Sequence, residues 1–408
     1  MRTREYRRDV RQEGRPTLNG RLYCVLALLV MLGPLATSLY VPGLPSLAES
    51  FDITTAEAQL TVTTCLLGLA CGQLFVGPMS DRFGRRAPAL IGTAVFLVAS
   101  ILCAVAPSWE FLLVVRFVQG LAGSATIVVA RATVRDLATG TLAAVALSRL
   151  LVVTGLAPGI GPLIGGQLLR FADWRALFAT LAVAAALSLV ATWLWLPESL
   201  DPANRSSAGV RRQLRDMGGL LRDRDVLASM AVIGLLGGVT FSWMASGPFY
   251  FEGAYGLSPA MFSTIIAAAS IVFVFGALLN TRIVRHVGVR RALVQGLVLV
   301  ALFASAVLVT GLMGLPVWWV ALSAVLTMGV YGGMGANAQA LALTPHGERA
   351  GAVAALLGTM QFVGGALLPP LATLIVGGTW AMGVGMAISA IGALVVAAML
   401  TRRTVSVA

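Results

Sequence analysis

Charged residues are rare in this chain, and those that interrupt its apolar runs have types and spacings that could do chemistry. The stretch GPMSDRFGRR at 77–86 places one acid among three arginines, between two glycines. A carboxylate beside guanidinium groups can cap a helix or form an ion pair, and such a contact can be made in one conformation and broken in another. Gly77 and Pro78 are expected to end the preceding helix. The stretch predicts a conformational switch made of Gly77, Asp81, Arg82, Gly84, Arg85 and Arg86.

A second polar site lies inside an apolar run. The sequence RFVQG places Arg116, Gln119 and Gly120 in a segment that is otherwise apolar. A charged side chain within a membrane is costly, so an intramembrane arginine indicates a functional site. The alternative is that Arg116, which lies near the start of its segment, extends its head group to the membrane surface.

A third pattern combines small residues with prolines in GLAPGIGPLIGG at 155–166. Small residues four apart allow helices to approach closely, and prolines remove backbone hydrogen bonds and favour bending. Without further information the pattern indicates a packing groove. Its members are Gly155, Pro158, Gly159, Gly161, Pro162, Gly165 and Gly166.

Membrane-spanning helices are needed to hold these sites. The chain has 408 residues, of which 58% are hydrophobic and 11% charged, and its mean hydropathy is +0.88. A spanning helix needs about 20 mostly apolar residues. Twelve such runs predict an all-α integral membrane protein, with spans near 22–42, 57–77, 89–106, 110–131, 143–168, 176–197, 227–250, 259–281, 292–313, 317–341, 350–376 and 380–401.

The net charge of +12 comes from arginines whose positions alternate along the chain. Loops on one side of the expected membrane, together with both tails, hold most of the arginines, whereas the other side holds only Arg170 and Arg175. Such asymmetry indicates orientation, with both termini in the cytoplasm, and not nucleic-acid binding.

A polar stretch after the sixth span divides the chain into halves. DRFGRR at 81–86 follows the second span, and RHVGVRR at 285–291 follows the second span of the other half. Internal repeats of this kind are typical of transporters. The predicted organisation is a tail (1–21), a six-helix bundle (22–197), a cytoplasmic linker (198–226), a second six-helix bundle (227–401) and a tail (402–408).

GPMSDRFGRR resembles the loop between the second and third spans of the major facilitator superfamily. TSLYVPGLP at 37–45, ARATVRDL at 130–137, LPESL at 196–200 and YGLSP at 255–259 narrow the resemblance to the bicyclomycin-resistance/CflA type of drug exporter. The resemblance implies two six-helix bundles related by pseudo-two-fold symmetry. It also implies drug–proton exchange by a monomer in the bacterial cytoplasmic membrane, and it makes the glycine and proline pattern at 155–166 a mark of such exporters.

One residue departs from that family. Its pattern at the end of the first span is similar to Thr-Asp-Met-Tyr-Leu-Pro, and the acid that the family is thought to protonate is Ser38 here. Glu57 and Glu252 are the alternative candidates for proton coupling, because they come from different halves and are expected near the same membrane face. An uncoupled facilitator is the other interpretation.

By the family's architecture, a substrate cavity lies between the halves. Its expected lining is Tyr40, Arg116, Gln119, Trp243, Phe249, Tyr250 and Asn337. This set suits a small, neutral or weakly polar, drug-like amphiphile. The aromatic residues would equally suit a belt at the lipid interface.

The sequence lacks the motifs that would indicate other classes of function. The chain has no lysine, hence no phosphate-binding Gly-x-x-x-x-Gly-Lys loop, and it has no His-Glu-x-x-His sequence. We therefore predict a transporter that is not an enzyme and needs no cofactor or metal. Export of an endogenous natural product, or transport of a nutrient on the same fold, is the alternative to drug efflux.

Overall fold

The computed structural model describes residues 18–138, 140–205, 217–377 and 380–405. Within these ranges twelve helices are long and apolar enough to cross a membrane, which confirms the predicted fold class. Most of the predicted N-terminal tail, the middle of the linker and the last residues lie outside the described part. In chain order, spans 1 to 12 run over Gly20–Ser38, Thr55–Phe83, Arg86–Ala104, Trp109–Leu137, Gly140–Leu168, Trp174–Trp195, Arg224–Pro248, Pro259–Val287, Val289–Leu312, Val317–Leu343, Ala350–Val376 and Ala381–Val405.

Two spans are extended at one membrane face. Span 1 continues through a 3-10 turn, Val41–Gly43, into the short helix Leu44–Phe51. Span 7 continues into a π-helical segment, Phe249–Ala254. These extensions contact each other, although they belong to different bundles. We call this face the opposite face, and we call the face with the arginine-rich loops at 82–86 and 285–291 the basic face.

Side-chain caps fix where several spans begin. Asn19 accepts a hydrogen bond from the Leu22 N–H (2.9 Å) at the start of span 1. Thr54 and Glu57 form a reciprocal capping box at the start of span 2. Such caps satisfy backbone N–H groups that have no partner within the helix, so these sequence positions determine the helix starts.

Span 2 does not end at Pro78, contrary to the sequence-based prediction. The helix continues through Pro78 to Phe83 and ends at Gly84, whose φ is +92°. A single proline removes one backbone donor, a cost that membrane helices tolerate, whereas a positive φ is readily adopted only by glycine. In the second half, Gly288 has a φ of +82° between spans 8 and 9, so the turn is repeated there.

Glycines allow the helices of each bundle to pack closely. Spans 2 and 4 meet at Gly68 and Gly120, where a β-carbon on Gly120 would overlap the Cys65 carbonyl oxygen. Spans 7 and 11 meet in the same way, since a β-carbon on Gly237 would overlap the carbonyl oxygen of Gln361. Close backbone approach of this kind replaces the hydrophobic driving force that is absent between helices in lipid.

The two bundles are joined along spans 2 and 11 and along spans 5 and 8. Gln59 of span 2 is central, because its Nε2 donates to Ser246 Oγ (3.1 Å) and its Oε1 accepts from Thr373 Oγ1 (2.8 Å). Thr63 donates to the Ala366 carbonyl (2.8 Å) one turn deeper. These bonds lie toward the opposite face, so that side of the bundle interface is closed.

We expect Gly120→Val to destabilise the first bundle by about 1–3 kcal/mol or more, because the added side chain must displace backbone. Gly77→Ala is the matched control, since a β-carbon at Gly77 meets no atom within 4 Å. The measurement is the thermal midpoint and the monodisperse fraction of each variant in detergent. Equal stability of the two variants would contradict the close packing of spans 2 and 4.

Candidate functional site

Arg85 forms the centre of a charge network at the basic face. Its Nη1 lies 2.6 Å from Asp81 Oδ1, and its Nε lies 2.7 Å from Asp136 Oδ2 in the last turn of span 4. Nη1 also donates to Ser80 Oγ at 2.7 Å. Burial alone lowers the pKa of the Arg85 guanidinium, but its hydrogen bonds to Asp136 and Asp81 outweigh burial and raise that pKa. The guanidinium is therefore a fixed cation that holds spans 2 and 4 together.

Glu198, which was not among the predicted site residues, completes the network. Its Oε1 accepts from the Arg85 backbone N–H (2.8 Å) and its Oε2 from that of Arg86 (3.3 Å). The carboxylate thus caps span 3, and a side chain at Gly84 would overlap it. The LPESL stretch of the family resemblance was the only sequence signal for Glu198, and its pairing partner was not predictable from it.

The other predicted switch residues have looser surroundings. Arg82 is exposed and makes a cation–π contact with the Phe83 ring at 5.3 Å. Arg86 donates through Nη2 to the Trp193 carbonyl at 2.9 Å. Of the three arginines in this loop, Arg85 alone is buried.

Arg116 is buried completely inside the first bundle, so it does not extend to the membrane surface. Its Nε donates to the Thr61 carbonyl (3.1 Å), and its Nη1 donates to Gln119 Oε1. The guanidinium carbon lies 4.3 Å from the Tyr40 ring centre and 5.5 Å from that of Phe178. Among the described residues no carboxylate pairs with Arg116, and its Nη2 has no hydrogen-bond partner.

Ser38, at the position of the family's acid, is turned toward span 5. Its Oγ donates to the Ala157 carbonyl at 3.2 Å. A β-carbon on Gly161 would overlap the Ser38 Oγ. The same glycine and proline pattern reaches the other bundle, since β-carbons on Gly159 and Gly166 would meet Ser270 and Ser263 of span 8. Span 5 is therefore packed between both bundles. The remaining members of the pattern, Gly155, Pro158, Pro162 and Gly165, lie in the same helix, Gly140–Leu168.

The predicted cavity residues fall into three groups. Tyr40 and Gln119 surround Arg116. Trp243 packs edge-on against Phe251 (ring centres 5.7 Å apart) near the opposite face, in a cluster that also holds Phe249 and Tyr250. Asn337 of span 10 exchanges two hydrogen bonds with Asn280 of span 8, at 2.9 and 3.0 Å. Six of the seven are buried and Phe249 is partly exposed, and the role of all seven in substrate contact stays a prediction.

The two candidate proton-coupling acids differ in their surroundings. Glu57 is at the helix start, where its Oε2 accepts from both the N–H and the hydroxyl of Thr54 at 2.8 Å. Glu252 lies in the π-helical segment, and its Oε1 is buried without a hydrogen-bond partner among the described residues. Helix capping accounts for the position of the Glu57 side chain. Among the described residues, no contact compensates for the burial of Glu252 Oε1.

Comparison with known proteins connects this arrangement to a family. A family model described as Major Facilitator Superfamily matches residues 26–369, which is most of the chain. The chain belongs to the major facilitator superfamily. A crystal structure of a D-xylose–proton symporter and a partially occluded, inward-open structure of the xylose transporter XylE from E. coli share this fold. Their TM-scores with this chain are 0.73 and 0.69, and their sequence identities are 16% and 15%. Each alignment covers 91% of this chain and 96% of the other protein.

Relatives within the superfamily include named resistance proteins. This chain is 34% identical over 353 residues to the uncharacterized MFS-type transporter YdgK of Bacillus subtilis (85% of this chain, 87% of that protein). It is 29% identical to a bicyclomycin resistance protein homolog of Haemophilus influenzae (85% and 87%) and 28% identical to the multidrug resistance protein MdtL of Shigella flexneri (90% and 92%). The molecule is an integral membrane transporter of the type that includes drug exporters, and these relatives are not named as enzymes.

We expect Arg85→Ala to lower transport about tenfold while Arg82→Ala leaves it nearly unchanged, because Arg85 joins Asp81 to Asp136 and no ion pair of Arg82 is found among the described residues. Asp81→Asn should impair transport less than Arg85→Ala, since Asp136 still holds the guanidinium. Protection of a pump-deficient host at matched membrane levels measures this. Equal protection by the Arg82 and Arg85 variants would show that the network has no role in transport.

We expect Arg116→Ala to lose more activity than Arg116→Lys. Lysine keeps a cation beside the Tyr40 ring, whereas alanine removes the charge and leaves the Gln119 side chain without that partner. Both variants are compared by efflux and by thermal midpoint in detergent, which separates function from folding. If lysine were as inactive as alanine at equal stability, the guanidinium geometry and not its charge would be the requirement.

Proposed function

We propose that this protein exports a small drug-like amphiphile from the cytoplasm by alternating access, as a monomer in the bacterial cytoplasmic membrane with both termini cytoplasmic. The observation that carries this proposal is the division of contacts between the two faces. Toward the opposite face, the bundles are joined by the hydrogen bonds of Gln59 and Thr63. At the basic face, the Arg85 network stays within the first bundle and the start of the linker. The names of the resistance proteins among the relatives support export.

Alternating access then requires the contacts that close the opposite face to break while those within each bundle persist. Opening toward the outside must break the bonds from Gln59 to Ser246 and from Thr373 to Gln59, because they cross the bundle interface. The Arg85 network does not cross that interface, so it keeps spans 2, 3 and 4 together while the bundle moves as a rigid body. Hydrogen bonds between neutral groups of this kind contribute about 1 kcal/mol each, which is small enough for a substrate to shift the balance.

We propose further that export is coupled to inward proton movement through Glu252. Burying an ionised carboxylate oxygen without a partner costs several kcal/mol, so closing the opposite face around Glu252 favours its protonation from outside. The π-helical segment that carries Glu252 packs on the extension of span 1, Leu44–Phe51, in the other bundle. The nearby acids of that extension and its end, Glu49 and Asp52, are exposed and add negative charge to the same face.

An uncoupled facilitator is the second candidate, and Ser38 favours it. The Ser38 hydroxyl is bonded to the Ala157 carbonyl and cannot exchange a proton with Arg116 as an acid would. An uncoupled carrier would equilibrate its substrate and would not concentrate it.

Reconstituted vesicles distinguish these candidates once a susceptibility panel that includes bicyclomycin and chloramphenicol has found a compound that is moved. For a proton-coupled exporter, we expect wild type and Glu57→Gln to concentrate that compound under an imposed pH difference. Glu252→Gln should lose accumulation but keep substrate counterflow, because exchange needs no net proton movement.

Counterflow without accumulation in wild type would show an uncoupled carrier. Accumulation gained by Ser38→Asp would then place the missing coupling at residue 38. If no compound on the panel gave protection and none exchanged across the vesicle membrane, the proposal of drug export would be wrong.

A further inference from the structure

Span 4 carries two more arginines toward the basic face, Arg131 and Arg135, one helical turn apart. Arg131 is partly exposed and Arg135 is exposed, although both lie within the helix. A β-carbon on Gly351, at the start of span 11, would lie 3.9 Å from Arg135 Nη1. Arg135 therefore reaches across to the second bundle, and Arg131, four residues earlier, lies on the same side of span 4.

These arginines have no counter-charge among the described residues. Neither forms an ion pair, and the charged group that acts most strongly on Arg131 is Arg135, which repels it. The nearest acid in sequence, Asp136, is bound by Arg85 and also accepts from Ser199 Oγ at 3.1 Å. Glu198 is engaged by backbone N–H groups.

At about the depth of Arg131 in the membrane, spans 8 and 10 of the second bundle carry neutral polar side chains. Asn280 and Asn337 lie about two turns from the basic-face ends of spans 8 and 10, and their amides are bonded to each other. Asp223, which caps span 7 at this face, is bound by His346 Nε2 at 3.2 Å. The acids Asp136, Glu198 and Asp223 at this face thus already have partners.

Unpaired cations in a membrane protein are costly, and they are retained where a ligand supplies the missing charge. A ligand that enters from the basic face would reach Arg131 and Arg135 first. Arg116 lies deeper on the same helix, and its Nη2 is fully buried without a partner among the described residues. The three guanidinium groups lie along one helix, with Arg116 about 22 Å from Arg131 along its axis, and a carboxylate is the group that such forks bind best.

We infer that the exported compound is an organic anion of the aromatic carboxylate class, and that Arg131 is the residue that selects it. This inference rests on the proposed export function and changes the expected substrate from a neutral or weakly polar amphiphile to an acid. Arg131 first pairs with the carboxylate at the basic face, and the unpaired Nη2 of Arg116 is the deeper donor for the same group. The aromatic part of the compound suits the rings near Arg116, Tyr40 and Phe178.

The test uses two probes of the same shape, 1-naphthoate and 1-naphthamide, with the full chain in detergent and in proteoliposomes. Wild type should bind and move naphthoate in preference to naphthamide. Arg131→Gln should weaken naphthoate binding about tenfold and leave naphthamide binding unchanged, because one charge-assisted contact is lost. Arg131→Lys should retain most of the preference.

Arg282→Gln is the matched control, since Arg282 is exposed on the helix face that also carries the exposed residues Phe275, Leu278 and Leu279. It should leave both affinities unchanged. Equal binding of the two probes by wild type, or an equal loss of both in Arg131→Gln, would overturn the inference. Movement of naphthamide alone would also overturn it while leaving export itself intact. If wild type bound and moved neither probe and also protected against no compound of the panel, the proposed function would fail together with the inference.

Discussion

A guanidinium that is fully buried, with no carboxylate beside it among the described residues, is the constraint on which the first bundle depends. Removing such a charge from water costs several kcal/mol, and an acid is the usual compensation. Arg116 is compensated instead by the Thr61 carbonyl, the Gln119 amide and the face of the Tyr40 ring. These partners come from spans 2 and 4 and from the end of span 1, so stabilising one charge fixes the positions of three segments. The compensation is incomplete, because Nη2 has no partner within the described chain.

At the basic face, by contrast, the buried arginine is paired with carboxylates. Arg85 lies between two carboxylates, and a third carboxylate caps the helix that begins beside it. This network is satisfied within one bundle and the first residues of the linker, so it can persist in every state of the transporter. The bonds of Gln59 cross between bundles and consist of neutral groups, which makes them weaker and able to break. Under the proposed alternating access, charge pairs hold the first bundle together, and neutral contacts close the opposite face.

The sequence predicted what local patterns encode. Twelve apolar runs of sufficient length predicted the spans, whereas the expected helix end at Pro78 was wrong, because the helix ends at Gly84, whose φ only glycine readily adopts. The sequence also predicted that Asp81 could pair with a neighbouring arginine, and the structure identifies Arg85 as that partner. The partners of Arg85 in Asp136 and Glu198 were not predictable, because they lie 51 and 113 residues away and depend on how helices pack. Gln59 was missed for the same reason, since nothing near it in sequence indicates its partners on spans 7 and 11.

Ser38, which replaces the family's acid, and the arginines that form no ion pair among the described residues both affect the net charge inside the first bundle. An acid beside Arg116 would neutralise the bundle internally, and its protonation would be needed to free the cation for a substrate. With Ser38 bonded to span 5 instead, Nη2 of Arg116 has no partner among the described residues, and under our inference a substrate carboxylate supplies the missing charge. Exporting an anion also moves negative charge out of a cell whose interior is negative, which releases about 2.3 kcal/mol per 100 mV for each charge. A carrier of anions therefore depends less on an internal acid than a carrier of neutral compounds does, and the serine at position 38 is then compatible with active export.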